Sequence, residues 1–231
     1  MLREWKDLPD YMRTGAVRPY YDRLKKKTLS LWVKRGFDFV ASICLLFFLL
    51  PVFIGISVWV ALDSRGGVLF RQERVTQYGR KFKILKFRTM AADREHVGTQ
   101  VTTAGDMRIT KAGEVLRKYR LDELPQLINI ILGDMSFVGT RPEVPGFVRR
   151  YTEEMMATLL LPAGVTSEAS IRYKDESRLL EKAEDVEEVY VREVLPGKME
   201  YNLQSLRKFS FLREVGTMVR TVFAVWIKAY K

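Results

Sequence analysis

The chain has 231 residues, enough for one domain with its own core and a small appendage. Its formal net charge of +11 points to a polyanionic partner, whether nucleic acid, anionic lipid or a phosphorylated substrate. The lone cysteine, Cys44, excludes an intramolecular disulfide, and the lone histidine, His96, leaves no basis for a His/Cys metal cluster; a divalent ion would be bound through oxygen, as magnesium is between a carboxylate and substrate phosphates.

Residues 1–34 form a basic arm carrying Trp5, Tyr11, Tyr20 and Tyr21, a composition that suits either lipid headgroups or an ordinary helical arm. The next segment, 35–62, contains a charge-free run from Phe39 to Leu62, in which Cys44 reads as an apolar filler. At about 1.5 Å per residue that run is long enough to cross a bilayer, so it predicts membrane contact. It begins too far from the N-terminus, and is too long, for a cleaved signal peptide. Pro51 sits near its middle, removes a backbone donor and divides the run into two arms, each too short to span. Positive charge flanks both ends, with Lys25, Lys26, Lys27, Lys34 and Arg35 before it and Arg65, Arg71, Arg74, Arg80 and Lys81 after. By the positive-inside tendency both ends prefer the cytoplasm, which favours a proline-bent re-entrant helix over the alternative of a kinked single span.

A catalytic domain is assigned to 63–204. Val68–Val75 and Lys81–Arg88 read as strands joined through Tyr78-Gly79-Arg80. In the second strand Lys81, Lys83, Leu85 and Phe87 would face one way and Phe82, Ile84, Lys86 and Arg88 the other. His96 reads as an ordinary surface residue. Residues 111–133 read as helical with a break near Asp122, Tyr151–Leu161 as a further helix, Val165–Tyr173 as extended and the acidic Asp175–Glu193 as a solvated helix. From 205 to 231, Phe209, Leu212, Val215, Met218, Val219, Val222, Phe223, Trp226 and Tyr230 recur at near-helical spacing among arginines and lysines. That amphipathic helix either lies on a membrane or packs on the domain. The fold class is α+β: a mostly helical small domain with a short β-hairpin, attached to the membrane by a bent helix and amphipathic helices.

The chemistry is expected within 117–143. Asp122 is a favoured N-cap and Pro125 suits a first turn, so a helix is predicted to start at Asp122. Adjacent helical residues diverge by about 100°, so Asp122 and Glu123 would take separate tasks rather than share a proton. Arg117, Arg120 and Arg141 add forked cations suited to a diphosphate. The same Asp-Glu-Leu-Pro run is also plain helix-start syntax with no chemistry attached. A non-catalytic, membrane-bound polyanion binder is the alternative that the charge alone would satisfy.

Three motifs occur in order: Lys86-Phe-Arg88-Thr-Met90, Arg117 through Leu121-Asp122-Glu123-Leu-Pro-Gln-Leu-Ile-Asn129, and Gly133-Asp-Met-Ser-Phe-Val-Gly-Thr-Arg141-Pro142-Glu143. From about Lys34 to Lys174 the chain resembles the bacterial sugar transferases, the monotopic phosphoglycosyl transferases, in a small catalytic-domain form. The resemblance implies transfer of a sugar 1-phosphate from a nucleotide diphosphate sugar, a UDP-sugar, to a polyprenyl phosphate such as undecaprenyl phosphate, with UMP released. It implies Asp122 as covalent phosphosugar carrier and magnesium ligand, and Glu123 as its assistant in proton transfer or metal placement. Lys86, Arg88, Arg117, Arg120, Arg141 and Pro142 are then the set expected on phosphate or nucleotide. The implied partners are the donor, the lipid acceptor and membrane lipid, not nucleic acid, and the implied place is the cytoplasmic face of a bacterial inner membrane. The chain departs from the family pattern at Leu50-Pro51, where Ser-Pro is usual, at Thr140-Arg141-Pro142 in place of Pro-Arg-Pro, and at Pro162–Ser167. The sugar is therefore not named.

Overall fold

A computed structural model describes residues 2–91, 108–173 and 185–229, with side chains to 224. His96 and the first half of the acidic segment lie outside the described residues. In chain order the helices are α1 (Arg18–Lys25), α2 (Thr28–Phe48), α3 (Leu50–Asp63), α4 (Lys111–Lys118), α5 (Gln126–Leu132), α6 (Pro145–Val148), α7 (Glu168–Arg172), α8 (Val186–Val189), α9 (Leu195–Arg207) and α10 (Phe211–Ala229). The strands are β1 (Leu69–Val75), β2 (Lys81–Phe87), β3 (Met135–Val138) and β4 (Ala163–Thr166).

The predicted hairpin is present: β1 and β2 pair antiparallel from Leu69 opposite Phe87 to Val75 opposite Lys81. Tyr78 and Gly79 both take positive φ in the connecting turn. Gly79, at φ 75°, takes the left-handed conformation that favours glycine, with the Tyr11 hydroxyl lying over it. One face of β2 packs Phe82 and Ile84 on Leu127, Ile130 and Met135. Phe87, on the opposite side by strand alternation, packs with Ile56, Val60 and Leu116. Both faces are thus covered toward the end that carries Lys86.

A second sheet, parallel and two-stranded, pairs β3 with β4. The expected extended run over Val165–Tyr173 is corrected here: extension ends at Thr166, Ser167 caps α7 by accepting from the Ser170 amide at 3.0 Å, and the chain turns helical. Gly139, just after β3, meets Gly164 near the start of β4, and a Cβ on Gly164 would fall 2.1 Å from the Gly139 nitrogen. That backbone contact directs the following Thr140-Arg141 turn. The Tyr151–Leu161 helix is a 3-10 segment, Met155–Leu160. Of the acidic segment, the described part is helical through α8 and a π turn, Tyr190–Val194, whose Tyr190 and Val194 are buried rather than solvated.

The N-terminal arm joins the core. Met12, Val17, Tyr20, Tyr21 and Leu24 cluster with Ala157, Leu159, Leu160, Leu206 and Phe209. Tyr20 and Tyr21 are therefore enclosed by protein instead of resting among headgroups.

Helices α2 and α3 meet at Leu49 with a 64° bend, Pro51 falling in the first turn of α3, where its missing amide donor costs least. Among the described residues no single helix is long and apolar enough to cross a membrane, whereas this bent pair meets the length and composition together. Both outer ends are tied to the same domain. Lys34 donates to the Val138 carbonyl at 3.0 Å, and Arg35 donates to the Ile130 and Ile131 carbonyls at the end of α5. At the far end Arg88 donates to the Val60 and Ser64 carbonyls. The remaining surface of the pair is apolar and bare, with Phe47 72%, Phe48 75% and Leu62 82% exposed; Cys44 is exposed as well.

Candidate active site

Strand β2 and helix α5 build the floor of the site. Asn129, buried within α5, accepts from the Leu85 amide and donates to the Lys83 carbonyl, each at 3.0 Å. Its side chain thus acts as a short strand on the open edge of β2 and fixes the backbone that presents Lys86.

The predicted helix start at Asp122 is corrected. Arg120 adopts a left-handed conformation with φ 56°, and Leu121–Glu123 form a 3-10 turn; α5 itself begins only at Gln126, and Asp122 makes no capping bond. In a 3-10 turn successive side chains diverge by about 120°. Asp122 and Glu123, each 8% exposed, consequently face different surroundings.

Glu123 is the hub. Its Oε1 accepts from Lys86 Nζ at 2.9 Å and from Arg141 Nη2 at 3.1 Å, and Arg120 Nε lies 3.4 Å from Oε2. Burial works to raise the pKa of this carboxyl, but Lys86, Arg120 and Arg141 together outweigh it and hold the group well below the usual carboxylate range. Asp122 has a weaker share of the same cations: Lys86 Nζ is 4.0 Å from Oδ2. Burial raises its pKa, Lys86 opposes that, and the charge on Glu123 adds to the rise. Burial in turn lowers the Lys86 pKa, partly restored by Glu123. The site therefore holds one firmly ionised acid that organises cations and a second acid whose charge is incompletely balanced. Asp122 is the side chain that could share a divalent ion with phosphate oxygens; among the described residues no group of three or more His, Cys, Asp or Glu is gathered to hold one by itself.

The structure brings Lys86, Arg120 and Arg141 onto the acid pair, as expected from the sequence. Arg117, on α4, donates Nε to the Thr89 hydroxyl at 2.8 Å, from where its charge acts on Asp122. Arg88 is 7% exposed; its Nη2 donates to Val60 and Ser64 and fastens the end of α3, while among the described residues its buried Nε and Nη1 have no hydrogen-bond partner. Pro142 is buried and lends its carbonyl to Arg74 at 3.2 Å, shaping the turn that returns Arg141 to Glu123.

Two clusters lay beyond sequence reasoning. Glu143 accepts from the Tyr190 hydroxyl at 2.7 Å, with Lys198 Nζ 3.6 Å away, and so fixes the far side of the Arg141 turn. On α2, Lys34 lies 2.6 Å from Glu214 of α10 and 3.6 Å from Asp38, while Ser136 donates to Asp38 at 2.7 Å. The signals available were polar residues interrupting apolar runs, which show that a partner is needed but not which one. Asn129 within α5 gave the same signal.

Similarity to known proteins agrees with this geometry. Residues 29–228 match the bacterial sugar transferase family. The chain is 34% identical over 217 residues, 92% of its length and 44% of the relative's, to the UDP-glucose:undecaprenyl-phosphate glucose-1-phosphate transferase of Escherichia coli (strain K12). It is 42% identical over 124 residues, 54% of its length and 29% of the relative's, to the UDP-N-acetylgalactosamine-undecaprenyl-phosphate N-acetylgalactosaminephosphotransferase of Aeromonas hydrophila. A putative undecaprenyl-phosphate N-acetylgalactosaminyl 1-phosphate transferase of Bacillus subtilis (strain 168) is 36% identical over 157 residues, 67% of this chain and 86% of that protein. The chain spans less than half the length of the first two. With its family match covering most of the sequence and its acid pair set among Lys86, Arg120 and Arg141, this chain belongs to the bacterial sugar transferases.

Proposed function

We propose that the protein transfers a sugar 1-phosphate from a nucleotide diphosphate sugar, of the UDP class named for its relatives, to undecaprenyl phosphate or a similar polyprenyl phosphate. The observation that carries this reading is the unequal acid pair: Glu123 takes Lys86, Arg141 and Arg120 at 2.9, 3.1 and 3.4 Å, whereas Lys86 stands 4.0 Å from Asp122, which is left as the carboxylate to react. Asp122 Oδ attacks the sugar-bearing phosphorus, the bond from that phosphorus to the bridging oxygen breaks, and UMP leaves with the bridging oxygen. The phosphate oxygen of the polyprenyl phosphate then attacks the same phosphorus, releases Asp122 and leaves a polyprenyl diphosphate sugar. Lys86, Arg117, Arg120 and Arg141 orient the diphosphate and balance its charge. Glu123 positions those cations; a carboxyl held so firmly ionised is a poor proton carrier at neutral pH, which favours the placement role over proton transfer. Asp122 would hold magnesium together with the donor's phosphates, and the ion would neutralise charge on them.

The reaction is assigned to the cytoplasmic face of a bacterial inner membrane, with α2 and α3 as a re-entrant insertion. Support comes from their 64° bend, the attachment of both outer ends to one domain, and their bare apolar surface. The sugar is left open, since relatives are named for glucose and for N-acetylgalactosamine.

The test is mass spectrometry of protein incubated with UDP-sugars and magnesium without lipid. A phosphosugar adduct on the peptide containing Asp122, absent in Asp122→Asn, is the expected result. Full turnover by a folded Asp122→Asn protein would overturn the covalent route.

A further inference from the structure

Arg141 reaches Glu123 from a stretch without regular secondary structure, yet the carbonyls on either side of it are held. The Thr140 carbonyl accepts from the Gly164 amide at 2.9 Å. The Pro142 carbonyl accepts from Arg74 Nη1 at 3.2 Å and the Glu143 carbonyl from the Val75 amide at 3.0 Å, both donors standing at the end of β1.

Behind this turn the Glu143 carboxylate is 6% exposed, and a carboxylate so enclosed needs partners. The Tyr190 hydroxyl donates to its Oε1 at 2.7 Å. Lys198 Nζ lies 3.6 Å from the same oxygen and donates to the Tyr190 oxygen at 2.9 Å, which closes a triangle of three buried polar groups. Arg74 Nη1, already on the Pro142 carbonyl, is 3.9 Å from Oε2.

Two of these partners come from far along the chain. Tyr190 opens the π turn Tyr190–Val194, and Lys198 follows on α9. A π turn is an irregularity that helices often keep at functional places. The Tyr190 ring packs on Phe147 of α6 with centroids 4.8 Å apart, which aims its hydroxyl at Glu143.

Filling space does not require such a triangle, since apolar side chains of the same volume would avoid the cost of burying charge. What it adds over apolar packing is a fixed direction for the residue two positions after Arg141.

We infer that Tyr190, backed by Lys198, is a positioning residue for the transfer: through Glu143 it holds the turn that keeps Arg141 on Glu123 and directed at the donor's diphosphate. The effect on turnover rests on the transferase reading, whereas the effect on Arg141 rests on the geometry alone.

Tyr190→Phe keeps the ring on Phe147 and removes only the hydroxyl, while Glu143→Gln keeps the shape of the side chain and removes its charge. With the full chain in phosphatidylcholine nanodiscs, phenylglyoxal modification of Arg141 is followed by mass spectrometry. UMP release from UDP-glucose and from UDP-N-acetylgalactosamine, with magnesium and undecaprenyl phosphate, is measured on the same samples. At unchanged circular dichroism, both variants should raise the rate of Arg141 modification at least threefold and lower kcat/KM for the donor at least tenfold. In an Arg141→Ala background Tyr190→Phe should cost less than a further twofold, because a residue that acts through Arg141 then has nothing left to position. Wild-type modification of Arg141 in folded Tyr190→Phe would overturn the inference, as would a tenfold loss from Tyr190→Phe that persists in the Arg141→Ala background. If Glu143→Gln does not fold, Tyr190→Phe decides alone. Absence of UMP release by the wild type would sink the transferase reading, and the modification rates would still decide whether Tyr190 holds Arg141.

Discussion

Lys86 donates to Glu123 at 2.9 Å while the same ammonium stands 4.0 Å from Asp122. One partly buried cation thus fixes the organising acid and still acts on the neighbouring carboxylate. Lys86→Met should lower UMP release about a hundredfold or more, as loss of a preorganised charge does, with secondary structure retained. The measurement is initial rate at saturating donor and acceptor, and a rate within about threefold of wild type would remove Lys86 from the mechanism.

Glu123→Gln has a different expected signature. It withdraws the shared anion from Lys86, Arg120 and Arg141, leaving three partly exposed cations crowded together without it. A loss of about 1.5 kcal/mol is expected from losing hydrogen bonds to a charged group, seen as a drop of a few degrees in Tm. Glu123→Gln with unchanged Tm would mean that the cations have other adequate partners.

Asn129→Ala should damage activity from beneath the site. Without that side chain the Leu85 amide and Lys83 carbonyl lose their partners. About 1–3 kcal/mol per unsatisfied buried group is expected. Because those atoms flank Lys86, UMP release should fall as well, and Asn129→Asp should not restore it, having lost the donor to Lys83. Full activity in Asn129→Asp would show that the edge contact to Lys83 is dispensable.

The hairpin was legible because its alternation has period two and Gly79 marks its turn, and the bend because Pro51 interrupts a charge-free run. The cationic ring was legible in composition, since residue type alone pairs arginines with acids. What escaped was set by contacts distant in sequence. The β3–β4 pair is two short strands joined by a long connection, and it depends on two glycines meeting. The 3-10 turn at Asp122 depends on Arg120 taking a backbone conformation that its residue type disfavours. Arg88 sits in a motif beside Lys86, yet its direction is decided by the carbonyls ending α3.

Glu214 makes stability depend on pH. Burial pushes its carboxyl up to about 7, against the opposing pull of Lys34. Between the unfolded value near 4.5 and about 7 the folded protein binds more protons than the unfolded chain, so stability falls as pH rises through that window and levels above it. Glu214→Gln should flatten that part of the profile in denaturant unfolding measured from pH 5 to pH 8, whereas an unchanged slope would assign the proton to another group.

The bare face of the α2–α3 pair predicts a separable membrane defect. Phe47 and Phe48, at the bend, are 72% and 75% exposed, their rings 5.5 Å apart. Burying each in lipid contributes about 1.5–3 kcal/mol, so Phe47→Asp/Phe48→Asp should lower partitioning into vesicles by about a hundredfold or more. Leu49 beside them packs on the Ile130 cluster, but both rings are largely exposed, so Tm should hold while acceptor-dependent turnover on vesicles falls in step with partitioning. Unaltered vesicle binding in the double variant would show that the bend does not enter lipid; lost Tm together with lost binding would show that the two rings belong to the fold.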